Sequence, residues 1–156
     1  MVVPADTELM RIALDEAALA PTHGDVPVGA VAALGGRILA RRHNERELRR
    51  DPTAHAEMLV LVEAAQLLGT WRLEGVTVAV TLEPCPMCAG ALVNGRVQRL
   101  LYGAADPKAG ACGTLYDLCA DPRLNHEVAV TSGVLAEEAG GLLQEFFAAR
   151  RKGPAR

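Results

Sequence analysis

The chain is poor in aromatic side chains: one Trp, two Tyr and two Phe, 3% of 156 residues. So few rings cannot supply the series of stacking platforms on which general single-strand nucleic-acid binders lay successive bases. Half of the residues are hydrophobic, yet no uninterrupted apolar run is long enough to cross a bilayer, so no membrane span is expected. The opening Met1-Val2-Val3-Pro4-Ala5-Asp6 has no basic segment and no signal-peptide pattern, which predicts a cytoplasmic protein. In that compartment four cysteines favour metal ligation or free thiols over disulfides. Internal repeats, low-complexity segments and linkers are also missing. The length predicts a single domain over residues 1–152 with room for a core, followed by a disordered tail at 153–156.

The charge that is present is unevenly spread. The net charge is −3. Up to Gly36 the chain carries Asp6, Glu8, Asp15, Glu16 and Asp25 against Arg11 alone. Arg37, Arg41, Arg42, Arg46, Arg49 and Arg50 follow, diluted by Glu45 and Glu47, and the tail adds Arg150, Arg151, Lys152 and Arg156. Basic clusters of this kind can bind phosphates even on an acidic chain, but more often form plain solvated surface.

Periodicity predicts alternating elements. Thr7 to Ala20 spaces its apolar residues helically, with Asp6 as N-cap and Pro21 and Gly24 as the stop. Pro27–Leu34 and Arg37–His43 read as strands joined by a Gly35-Gly36 hairpin turn, and Asn44–Arg50 reads as a polar, basic loop. Asp51-Pro52 reads as the start of a second helix that runs to a stop at Gly69. Val76–Leu82 is a β-rich central strand. Glu83-Pro84 starts a third helix that Gly95 ends, and Glu83 reads as a carboxylate favoured by the helix dipole. Gln98–Tyr102 and Glu127–Thr131 are further strands around a long Gly- and Ala-rich loop at 103–115, and Leu135–Arg150 is a closing helix. Phe146 and Phe147, at helical spacing, read as core.

The chemistry concentrates in His55-Ala56-Glu57 and Pro84-Cys85-Pro86-Met87-Cys88. One histidine and two cysteines make three zinc ligands, and a catalytic zinc keeps three protein ligands and leaves the fourth position to water. Cys85 and Cys88 are three apart, so their sulfurs can face one way, and a helix N-terminus favours their thiolates. Residues two apart do not share a helix face, so Glu57 is a poor fourth ligand and a good group to handle the proton of the bound water. A structural zinc knot stays open as an alternative, with Cys112, Cys119 or His126 as the closing ligand. His-x-Glu followed by Pro-Cys-x-x-Cys is the signature of the zinc-dependent nucleobase deaminases.

Nearly the whole chain resembles one branch of that superfamily. Val26-Pro27-Val28-Gly29-Ala30-Val31, Asn44, Asp51 to Glu57, Thr81 to Ala91, Tyr102 to Ala111, Leu124-Asn125-His126, and Phe146-Phe147 with its basic run are similar to the bacterial tRNA-specific adenosine deaminases of the cytidine-deaminase-like superfamily. The Asp-Pro-Lys-x-Gly-Ala loop and the Asn-His pair resemble the tRNA branch in particular. Asp25 departs from the resemblance, standing where Glu is common, as does Cys112 in an otherwise small-residue loop.

The resemblance implies an α/β fold with three α/β/α layers around a five-stranded mixed sheet. It implies a homodimer that turns the wobble adenosine (position 34) of a tRNA anticodon loop into inosine, with one Zn2+ per subunit held by His55, Cys85 and Cys88 and with Glu57 as the catalytic proton carrier. It places Asn44, Ala56, Asp106, Lys108, Asn125, Arg150 and Arg151 among the substrate-binding residues. For Asn44 an Asx turn is the competing role, for Asp106 and Lys108 a solvated turn, and for Asn125 and His126 the turn chemistry of a strand entry. His23 and His43 have no partner legible in the sequence. A small-molecule deaminase for cytosine, cytidine or guanine shares the zinc motifs, and a binding module with a structural zinc is the third possibility. An adenosine in a loop can be splayed out and read singly, which suits a chain with few aromatics.

Overall fold

The computed structural model describes residues 4–151; the tail expected to be disordered at 153–156 lies outside them. Five helices and five strands alternate: α1 (Pro4–Ala17), β1 (Gly29–Leu34), β2 (Arg37–His43), α2 (Arg46–Arg49), α3 (Ala56–Leu68), β3 (Thr77–Leu82), α4 (Pro86–Asn94), β4 (Arg99–Ala104), β5 (Ala129–Thr131) and α5 (Ala136–Arg151). The strands form one sheet in the order β2-β1-β3-β4-β5. β1 pairs antiparallel with both β2 and β3, while β3–β4 and β4–β5 are parallel. This is the expected five-stranded mixed sheet.

The sheet is buried on both faces, and the alternation of side chains shows it. Ala30, Ala32, Val78, Val80, Leu100 and Tyr102 share one core with Ala56, Val60 and Ala64 of α3 and Ala89 and Leu92 of α4. The intervening Val31, Ala79 and Leu101 share a second core with Met10 and Ala13 of α1. Gly103 lies in register with that second face, and a Cβ there would sit 2.9 Å from the Cβ of Ala139, so α5 comes down on the α1 side. Period-two burial on both faces is why the strands read as continuous apolar runs.

The hairpin forms as expected. Gly35 and Gly36 take φ of 56° and 80°, the pair of positive values that a two-residue turn between twisted strands requires. Other expectations are corrected. Asp6 does not cap α1 but lies within its first turn, where its carboxylate takes two hydrogen bonds from the Arg99 guanidinium at 2.7 and 2.6 Å. α1 ends at Ala17, and Pro21 and Gly24 belong to a separate 3-10 turn, Ala20–His23. The basic loop after β2 contains the single turn α2. Phe147 is exposed at 41% and Phe146 is half-buried, so neither is core; the apolar face of α5 is already supplied by Ala139 and Leu143.

Candidate active site

The second and third long helices both start later than their cap signals suggest, and this shift builds the site. Asp51 does not cap a helix. Its Oδ1 accepts hydrogen bonds from Thr53 N at 2.8 Å and Thr53 Oγ1 at 2.7 Å, a local turn that uses up its capping capacity. α3 begins at Ala56 with His55 as its N-cap residue, in extended conformation (ψ 149°). α4 begins at Pro86 with Cys85 as its N-cap residue (ψ 173°). Neither residue caps its helix with its side chain. Both side chains turn instead to one another across the carboxyl end of β3: His55 Nδ1 lies 3.6 Å from Cys85 Sγ and 3.5 Å from Cys88 Sγ.

The three ligand atoms lie within 4.8 Å of one another and form the one cluster of metal-ligand side chains with three or more members among the described residues. The closing ligands left open by the sequence are elsewhere. Cys112 and Cys119 are buried against each other, Sγ to Sγ 3.7 Å, and His126 Nε2 bonds the Val97 carbonyl at 2.6 Å. The donor set fits a divalent cation. The hydrogen bond from the Cys88 thiol, with help from His55, brings Cys85 down to about 4, whereas the same bond and burial push Cys88 up. Two thiolates side by side repel, and a doubly charged ion is what lets both ionise.

Glu57 is 3% exposed. Burial raises its carboxyl from the usual carboxylate range to about 7, against its own backbone N–H and His55, which both pull it down. Together with His55, Cys85, Asn44 and Asp106 it lines a cavity of about 190 Å³, completed by Val26, Val28, Arg46, Leu82, Glu83 and Ala109. That is below the roughly 300–1,000 Å³ of drug-sized sites and on the scale of one ring system.

Asn44 is fixed from three sides. Its backbone N donates to Val28 O at 3.0 Å, its Nδ2 donates to Val26 O at 3.2 Å, and its Oδ1 accepts the Ala56 N–H at 2.9 Å. The Ala56 amide is therefore committed to Asn44. Asp106 reaches the cavity, and its Oδ1 also accepts the N–H groups of Lys108 at 2.9 Å and Ala109 at 3.2 Å. Lys108 is exposed beside an adjoining groove of about 360 Å³ lined by Val26, Leu82, Leu143 and Phe147. Arg150 is exposed, with its guanidinium 5.0 Å from the centre of the Phe146 ring, and Arg151 is exposed at the end of α5. Asn125 is exposed and does not line the cavity.

Two site residues escaped the sequence reading of their roles. Glu83 is not a helix cap. It is 2% exposed, and its carboxylate accepts the backbone N–H groups of Asp106 (3.0 Å), Cys112 (3.0 Å) and Thr114 (3.1 Å) as well as the Thr114 hydroxyl. It thus staples the 105–114 loop to the cavity wall. Gly110 makes room for it, since a Cβ there would fall 2.5 Å from the carboxyl carbon. Arg46 is the member of the basic cluster that reaches the cavity, while Arg41, Arg42 and Arg49 are paired with Glu16, Glu45 and Glu63. Composition showed the cluster, but only the cavity wall singles out Arg46.

Comparison with known proteins agrees with this arrangement. Residues 5–151 match the family model of the MafB19-like deaminases. The tRNA-specific adenosine deaminase of Bacillus subtilis (strain 168) is 54% identical over 147 residues, 94% of this chain and 91% of that one. The enzyme of the same name from Haemophilus influenzae is 45% identical over 94% of this chain and 86% of that one. A solved structure from a study of A-to-I editing by tRNA:A34 deaminases at the wobble position of transfer RNA superposes with a TM-score of 0.85 at 43% identity, covering 88% of this chain and 99% of that one. The guanine deaminase of Nitrosomonas europaea is more distant, at 26% identity and a TM-score of 0.76 over 95% of this chain and 86% of that one. From a partly buried His-Cys-Cys cluster beside a buried glutamate to near-full-length similarity, the observations converge: the chain belongs to the MafB19-like deaminase family, in the branch of the bacterial tRNA-specific adenosine deaminases.

Proposed function

We propose that the protein is a zinc-dependent tRNA adenosine deaminase that hydrolyses the wobble adenosine (position 34) of an anticodon loop to inosine, with release of ammonia. The observation that carries this reading is Glu57, buried and held near neutrality beside three converging metal ligands in a cavity scaled to one base. Similarity to relatives that bear the tRNA-specific name, at up to 54% identity, favours RNA over the free bases taken by the more distant guanine deaminase.

In this reading His55, Cys85 and Cys88 hold one Zn2+ per subunit, whose contribution when bound is to lower the pKa of a water from 15.7 to about 7. Glu57 then does the proton work. Its carboxylate takes a proton from the attacking water, delivers it to the purine ring nitrogen next to C6, and carries a second proton to the departing amine. A group near 7 serves as both acceptor and donor at neutral pH. Asn44 holds the His55-Ala56 start of α3 in place and presents its remaining hydrogen-bonding capacity to the flipped nucleoside. Asp106 shapes the cavity rim. Lys108, Asn125, Arg150 and Arg151 lie outside the cavity and are assigned to the RNA beyond the target base.

The direct test is to incubate the zinc-loaded protein with an unmodified anticodon stem-loop bearing adenosine at the wobble position and to sequence for inosine. The reading fails if the stem-loop remains adenosine while free guanine, cytosine or cytidine is turned over.

We further assign the protein to the cytoplasm and to a single domain, and among the described residues no helix is long and apolar enough to cross a membrane. We assign it as a homodimer because Val62, Leu67 and Trp71, on and just after α3, and Leu115 and Tyr116 are each at least half exposed, an outlay of apolar surface that subunit contacts commonly cover. Sedimentation equilibrium checks this: a mass of 16.5 kDa at micromolar concentration, that of one chain, would remove the dimer.

A further inference from the structure

Two histidines outside the cavity face each other. His23 ends the 3-10 turn and His43 ends β2, and their Nε2 atoms lie 3.1 Å apart, with ring planes 29° from parallel. The far nitrogen of each ring is held by a carboxylate: His23 Nδ1 is 2.7 Å from Asp25 Oδ2, and His43 Nδ1 is 3.0 Å from Glu16 Oε1. The carboxylates are themselves fixed. Asp25 accepts the backbone N–H groups of Glu47 at 2.9 Å and Leu48 at 3.2 Å, and Glu16 accepts Arg41 Nε at 2.9 Å.

Each Nδ1 is oriented by its carboxylate, which leaves the two Nε2 atoms facing each other. Imidazoles whose near nitrogens converge while carboxylates orient their far nitrogens form the ligand arrangement of histidine metal sites. We propose that His23 and His43 form a second metal site, separate from the His55–Cys85–Cys88 centre, that binds a late first-row divalent cation such as Zn2+ or Ni2+ between their Nε2 atoms.

The dimensions allow it. Two metal–nitrogen bonds of about 2.0–2.1 Å across a 3.1 Å base meet at roughly 100°, between the square-planar and tetrahedral angles. Both side chains keep a sixth of their surface exposed, 16% and 17%, so an ion can enter and water can complete the coordination. Of the ionisable groups that face the pair, Glu16 from α1 and Asp25 from the loop after the 3-10 turn offset the two charges of the ion, while Arg41 from β2 stays bound to Glu16. Imidazole ligands suit zinc and nickel, and two of them without a thiolate do not favour a monovalent ion. A bound ion would tie the 3-10 turn to the end of β2, one residue before Asn44.

Equilibrium dialysis of the zinc-loaded protein against micromolar Ni2+, with both metals counted per chain, tests the site. The parent should take up one Ni2+ while keeping its zinc. His23→Gln and His43→Gln should each abolish that uptake, and Asp25→Asn, which removes an orienting carboxylate, should weaken it about tenfold. The melting temperature should rise with Ni2+ in the parent and not in the histidine variants, whose own melting without Ni2+ shows whether they fold. Long-range 1H–15N spectra of the parent should show the Nε2 signals of both histidines shifting together, a readout that needs no variant. Absence of a second ion in the parent, unmoved histidine signals, or Ni2+ uptake that persists in both histidine variants would overturn the proposal.

Discussion

Glu57 and Glu83 are glutamates of nearly equal burial, each two residues from a proposed zinc ligand, and their surroundings give them opposite work. Burial raises both. At Glu57 little offsets it, and the carboxyl stands at about 7, able to gain and lose a proton. At Glu83 the Thr114 hydroxyl and three backbone N–H groups outweigh burial and hold the carboxyl below its usual range, so it stays charged and serves as a strut. The proton role of Glu57 is tested by Glu57→Gln, which keeps the size and removes the proton acceptor. We expect single-turnover deamination of a wobble-adenosine stem-loop to fall by about 10²–10⁴, with zinc content and RNA affinity little changed. A variant that deaminates near the parent rate would refute the mechanism, and one that loses zinc would make Glu57 structural.

At the scale of elements, the site depends on where helices begin. His55 and Cys85 occupy N-cap positions without capping, so each ligand extends from a fixed point of backbone before the helix carries the chain away. Cys88 follows one turn into α4, its thiol directed to the same point. The Glu83-braced loop closes the cavity from the side of β4, and α5 extends beyond it with its basic end exposed. If Arg150 and Arg151 contact phosphates, affinity for the stem-loop should fall with salt at a log–log slope of about 0.7–0.9 per contact. The double substitution Arg150→Gln, Arg151→Gln should then flatten the slope by about 1.4–1.8, read by fluorescence anisotropy across a salt series. An unaltered slope would return both residues to plain surface.

At the scale of the whole molecule, the basic cluster of β2 and α2 is tied to neighbouring elements by ion pairs. Arg42 bonds Glu45 and Glu63, and Arg49 bonds Glu45. Burial raises the carboxyl of Glu45, but its hydrogen bonds to Arg42 and Arg49 bring it below the usual range; Glu16 is likewise lowered on balance, by His43 and Arg41. A carboxyl lowered in the folded state contributes stability that is fully present above its unfolded value, about 4.3. That stability is lost as pH falls through the folded value. Urea unfolding should therefore weaken below about pH 4.3, and Glu45→Gln should cost about 1–3 kcal/mol at neutral pH and lessen the acid sensitivity. Equal acid sensitivity in parent and variant would show that Glu45 carries none of it.

The sequence by itself determined the sheet, the Gly35-Gly36 hairpin, the approximate helices and the grouping of His55, Cys85 and Cys88, because each rests on local information: period-two burial, a turn that needs two positive φ values, and residue types at fixed spacing. It misjudged what depends on residues far along the chain. Asp51 and Glu83 carry helix-start signals, yet one is spent on Thr53 and the other on the 105–114 loop, so the helices start later. Phe146 and Phe147 have core spacing, yet Phe147 is exposed and Phe146 only partly buried. The place of Arg46 at the cavity, and the contact between His23 and His43 twenty residues apart, were decided by tertiary structure alone, since a side chain's neighbours are set by which elements the sheet brings side by side and not by sequence.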